Sequence, residues 1–161
     1  DRLAGRSRRL RGRRPHRAMT GASQRLEVSR LIKADQDRVF SAWTDPAMSV
    51  QWWGAGGVKC SAAEMDLVVG GVYRIANEAP DGTTMWITGT FSRVDPPREV
   101  AYTWAREPIA DDTIYSLVEV TFEKADEGTL VTIVQTRIAS PSSQKEIALV
   151  IRFITTCCRR T

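Results

Sequence analysis

Between residues 26 and 32 apolar and polar side chains take turns, Leu26, Val28 and Ile32 against Glu27 and Ser29, the period of a strand with one buried face. Asp35 is placed to cap a following helix in which Val39, Phe40 and Trp43 share one side. Pro46 ends that helix or opens another, and a second short helix through Val50, Gln51 and Trp52 should stop at Gly54, Gly56 and Gly57. From Val58 onward the punctuation changes. Turns at Val69-Gly70-Gly71, Pro80-Asp81-Gly82, Asp95-Pro96-Pro97 and Asp126-Glu127-Gly128 separate β-rich runs, and Asp81-Gly82 is the strongest hairpin signal. The pattern predicts strands near 58–67, 71–78, 83–94, 98–105, 114–124 and 129–137. Val118, Val120 and Phe122 point one way there, and Glu119, Thr121 and Glu123 the other. Near the end, Pro141 and a capping box from Ser143 to Glu146 open a last helix with Ile147, Val150, Ile151, Ile154 and Cys158 on one stripe.

The expected class is therefore α+β, in the order one strand, two helices, six strands, one helix (β-α-α-β6-α). One helix covers only part of a seven-stranded antiparallel sheet, so a curved sheet wrapped round the C-terminal helix is the economical arrangement. Curvature leaves a gap, and a gap lined by aromatic and aliphatic side chains is the usual origin of a small-molecule pocket.

Composition narrows the chemistry. The chain has 161 residues, 42% hydrophobic and 26% charged, which fits one globular domain. Its apolar runs fall far short of the roughly 20 residues a membrane-spanning helix needs. Residues 1–18 hold eight arginines against one acid, +7, so the remainder carries −3 of the net +4. That arm offers almost nothing to bury and is expected to be disordered. It has two readings: a segment that neutralises nucleic-acid phosphates, or upstream sequence preceding a start at Met19, which is favoured. The folded domain is then 19–161. His16, the only histidine, lies in the arm, so a Ser-His-Asp triad, a Cys-His pair or a multi-histidine zinc site cannot be built inside the domain. Cys60, Cys157 and Cys158 show no C-x-x-C spacing and suggest a reducing, cytoplasmic and bacterial setting. The glycines at 54, 56 and 57 follow a helix and precede a strand, the reverse of a phosphate-binding loop.

Candidate binding residues are the large aromatics. Trp52 and Trp53 sit beside Gly54, where they either line a pocket mouth or plug the core beneath the short helices. Tyr73, Trp86, Tyr102 and Trp104 lie in strands. Tyr102 and Trp104 share a face with Val100, whereas Trp86 and Phe91 have opposite parity and face opposite sides unless a bulge intervenes. Gln135 shares parity with Val131 and Ile133, a polar group on an apolar face that either orients a ligand or bonds to a neighbour or water. Glu64 and Asp66 share a strand face; no nucleophile or metal ligand stands beside them, so they are read as accepting backbone N–H groups or pairing with Arg74. No metal or cofactor is expected.

Several motifs occur together in order: Val28-Ser29-Arg30-Leu31-Ile32-Lys33-Ala34, Val39-Phe40-Ser41-Ala42-Trp43-Thr44-Asp45-Pro46, Gln51-Trp52-Trp53-Gly54, Gly70-Gly71-Val72-Tyr73-Arg74-Ile75, Gly89-Thr90-Phe91, Asp95-Pro96-Pro97-Arg98-Glu99-Val100 and Tyr102-Thr103-Trp104. Over roughly residues 25–137 the chain resembles the family named after the activator of the heat-shock-protein-ninety ATPase, within the START-like (SRPBCC) superfamily. The resemblance implies a helix-grip fold with a hydrophobic cavity between sheet and C-terminal helix. Relatives usually carry a Gly-Trp pair in that helix; here the region reads Arg152-Phe153-Ile154-Thr155-Thr156, a shortened and atypical version. The expected function is binding of a small hydrophobic molecule, such as a lipid-like ligand, with Trp52, Trp53, Tyr73, Trp86, Tyr102, Trp104, Gln135, Ile151 and Ile154 as its surroundings. The resemblance also allows a polyketide cyclase or hydrolase-like enzyme in the same cavity, or a chaperone-interacting module. A homodimer is compatible with the sequence, and nucleic acid is a partner only if the arm is native.

Overall fold

The computed structural model describes residues 25–54, 57–113 and 115–137. The chain order is β1 (Leu26–Ile32), α1 (Gln36–Thr44), α2 (Pro46–Ser49), β2 (Lys59–Met65), β3 (Val72–Glu78), β4 (Thr84–Asp95), β5 (Glu99–Arg106), β6 (Ser116–Ala125) and β7 (Gly128–Thr136). All seven strands form one antiparallel, curved sheet in the order β1-β7-β6-β5-β4-β3-β2. Six consecutive strands thus make a meander, and β1 closes the far edge against β7. The expected last helix, with Ile151 and Ile154, and the arginine-rich arm lie outside the described residues.

The meander forms because its turns suit their residues. Gly128 shows this best: it holds φ at +141°, and a Cβ there would press on the Ile32 carbonyl oxygen of the neighbouring edge strand. Alternation then sorts the two faces. Val118, Val120, Phe122, Val131, Ile133 and Gln135 are all buried on the concave side. In β4 a bulge between Phe91 and Arg93 shifts the register against β5, bringing Val94 opposite Val100. Such a bulge bends a strand and raises its local twist.

The two short helices lie over the concave face, α1 against β6 and β7 and α2 against β2 at the other edge. Val39, Phe40 and Trp43 of α1 are buried, as the spacing predicts, and Phe40 meets Phe122 edge-on at 5.3 Å between ring centroids. The capping arrangement departs from expectation. Asp35 occupies the cap position of α1 without a side-chain bond. Instead Gln36 Nε2 donates to the Phe122 carbonyl at 2.6 Å, tying the helix start to β6. Pro46 opens α2, whose cap is Asp45, accepting from the Ala47 N–H at 2.8 Å.

Candidate functional site

A cavity lies on the concave face over the β2–β5 half, with about 240 Å³ of empty space, part of it open to solvent. Its walls are Trp43, Trp53, Met65, Tyr73, Ile75, Phe91 and Tyr102. Pairing of Tyr73 with Gly89 and of Phe91 with Tyr102 brings three rings into one cluster. Their centroids are 5.3 to 6.0 Å apart in tilted and edge-on contacts, the geometry aromatic quadrupoles favour.

Gly89 makes that cluster possible. A Cβ at this position would run into the Thr103 carbonyl oxygen and lie 2.7 Å from Tyr73 Cε1. Without one, the Tyr73 ring crosses the strand and its hydroxyl donates to Thr103 O at 2.8 Å. Tyr102 is the other phenol, and its oxygen accepts from Trp43 Nε1 at 3.3 Å. Burial pushes both hydroxyls above the usual tyrosine range, so both stay protonated through neutral pH.

Of the residues expected around a ligand, Trp53, Tyr73 and Tyr102 lie in this wall. Trp52 does not. It is buried behind the wall, stacks on Trp43 at 5.2 Å and donates its indole N–H to the Ala42 carbonyl at 2.6 Å. Ser49 Oγ reaches the carbonyls of Ala42 and Trp43, so both residues serve the unpaired carbonyl end of α1. Trp104 is half-buried against the core and shares its strand face with Tyr102, outside the cavity wall.

Trp86 is a correction. It pairs with Ala76 while Ile87 pairs with Ile75, which puts it on the convex face, and the bulge after Phe91 comes too late to reverse it. There the Arg74 guanidinium lies 3.8 Å from the Trp86 ring centroid. Arg74 in turn holds Glu107 through two bonds of 2.7 and 2.6 Å, a bidentate ion pair that keeps the Glu107 carboxyl below its usual range. The expected Arg74 to Glu64 pairing is therefore replaced by Glu107, although Glu64 lies opposite Arg74 in the ladder.

Gln135 is fully buried, and neither its amide nitrogen nor its amide oxygen has a hydrogen-bond partner among the described residues. It occupies one transverse row of register partners with Val118, Tyr102 and Phe91. Trp43, Met65, Ile75 and Phe91 are wall residues that sequence reasoning missed. Trp43 was legible as apolar helix face, but nothing local indicates that α1 brings it to Tyr102.

Residues 33–153 match the family model described as Activator of Hsp90 ATPase homolog 1-like protein. The chain belongs to this family. Solved structures with the same fold include the family's own member from Aeromonas hydrophila, described as AHSA1-like, at 24% identity and a TM-score of 0.73 over 84% of this chain and 92% of that one. A Rhizobium leguminosarum protein is similar at 20% identity and a TM-score of 0.74, covering 86% and 96%. One from Chromobacterium violaceum is similar at 19% and 0.73, covering 85% and 98%. At these identities the likeness concerns the fold. No curated protein matches the chain. For the family's helix-grip architecture, the seven strands described here are the gripping sheet. Among the described residues no helix is long and apolar enough to cross a membrane, and no group of His, Cys, Asp or Glu is arranged to hold a metal ion.

Proposed function

We propose that this family member binds a small, largely apolar molecule in the concave-face cavity. The observation that carries the reading is the wall itself: seven apolar or aromatic side chains around about 240 Å³ of space. As the side chains stand, the wall leaves free room for about one water-sized group, so a ring-sized ligand enters only as side chains move aside. Trp53 and Met65 are the half-buried members of the wall, and their side chains would move first for anything larger. Gln135, on the same face and in the row of Tyr102, is the amide that would orient a ligand's carbonyl or hydroxyl deeper along the sheet.

Binding is favoured over catalysis by the same inventory. Among the described wall residues the titratable ones are two tyrosines, both held protonated by burial, and neither is a base near neutral pH. Native mass spectrometry of the full chain purified from cells tests the reading. A small molecule that leaves on denaturation, and is missing from a Met65→Phe variant that narrows the cavity, is the expected result. An apo mass for the wild type together with no uptake of ring-sized apolar probes would sink it.

A further inference from the structure

We propose that the cavity selects neutral ligands that accept a hydrogen bond, small ketones, aldehydes or esters, and that the Tyr102 hydroxyl is the group that reads them. This deepens the ligand-binding reading and rests on it. The polar atoms of the wall are few, and most are engaged. The Tyr73 hydroxyl donates to Thr103 O, and the Trp43 indole donates to the Tyr102 oxygen. Tyr102 therefore uses its oxygen as an acceptor, while its proton has no acceptor among the described residues. A phenol that is 5% exposed cannot turn that proton to bulk water. Trp53, half-buried at the wall, also carries only a donor. A wall whose remaining polar capacity is donation fits an acceptor in the ligand. A carboxylate would bring acceptors too, but no described wall residue is a cation to compensate its desolvation.

The test uses full-length protein and three probes of similar size: carbonyl-labelled acetophenone, isopropylbenzene and benzoate. Calorimetry gives their affinities for wild type, Tyr102→Phe and Tyr115→Phe, and carbon NMR reports the bound carbonyl. The ratio of acetophenone to isopropylbenzene affinity should fall about three- to tenfold in Tyr102→Phe, the effect of one hydrogen bond. It should be unchanged in Tyr115→Phe, an exposed tyrosine outside the wall. Tyr102→Phe also deprives the Trp43 N–H of its acceptor. The wild-type carbonyl resonance therefore serves as a readout that needs no variant, and it should move downfield of its position in hydrocarbon solvent. If both neutral probes bind but the ratio and the resonance stay put, this inference fails and ligand binding stands. Benzoate binding more tightly than acetophenone would overturn it as well. If neither neutral probe binds, the ligand-binding reading fails with it.

Discussion

Two halves of one concave face are built from similar side chains, yet one is solid and the other keeps a cavity. Over β6 and β7, Phe122, Val120, Val131 and Ile133 are each no more than 2% exposed. Over β3–β5, Tyr73, Ile75, Phe91 and Tyr102 are almost as well covered but border open space. The difference lies in what is laid across them. Helix α1 sits on β6 and β7 and sends Phe40 and Trp43 edge-on into Phe122, at 5.3 and 6.0 Å. Only the tip of Trp43 and the flank of Trp53 reach the rings of the other half. Tyr73 and Tyr102 are each pinned through the hydroxyl, which keeps their rings from turning to fill the remainder. The cavity thus comes from helix placement more than from residue type.

That contrast breaks most clearly under truncation. Phe122→Ala should cost about 3–5 kcal/mol in denaturant unfolding, because its neighbours are fixed in edge-on contacts and leave a void. Phe91→Ala should cost less, since one side of its ring already faces space, and it should enlarge the set of ligands accepted. Equal costs would mean that the two halves are packed alike. Overpacking gives a smaller and opposite view. Val120, fully buried, should lose about 1–3 kcal/mol on change to Phe, while Met65→Phe should lose under about 1 kcal/mol and stop ligand uptake.

Gln135 sharpens the comparison further, since it is a polar residue in the solid half. An amide buried without partners carries a penalty of about 1–3 kcal/mol, so Gln135→Met, close in shape, should stabilise the ligand-free protein by about 1 kcal/mol. A loss of stability instead would show that the folded chain satisfies the amide, and Gln135 would then belong to the packing and not to the site.

How far these halves could be read in advance depends on the range of the interaction involved. The strand run was legible because turn residues and alternation act locally, and Gly128 and Asp81-Gly82 mark real reversals. Parity alone places Trp86 on the face opposite Phe91, so its position on the convex side is legible in the sequence. Trp52 and Trp53 are adjacent in a turn, where no period applies, and only the path of α1 decides that Trp52 caps carbonyls while Trp53 meets the cavity. The choice of Glu107 as the partner of Arg74 is likewise long-range, made across β4.

The smallest effect tests the outer face, where the contrast with the cavity is one of solvent. Trp86, Arg74 and Glu107 form a stack in which the guanidinium is held from two sides. Because the Arg74 bonds depress the Glu107 pKa, their contribution is present above the unfolded carboxylate value of about 4.3 and is lost as the pH falls through the lower folded value. Asp95, bonded to Arg98, and Asp81 titrate in the same acid window, so wild-type unfolding alone does not isolate the pair. The difference between wild type and Glu107→Gln does. It should be small near pH 6, since both partners retain solvent contact, and should shrink toward zero near pH 3. A gap that stayed constant across this range would mean that Glu107 acts through its shape, and that the ion pair adds nothing to the rigidity of the convex face behind the cavity.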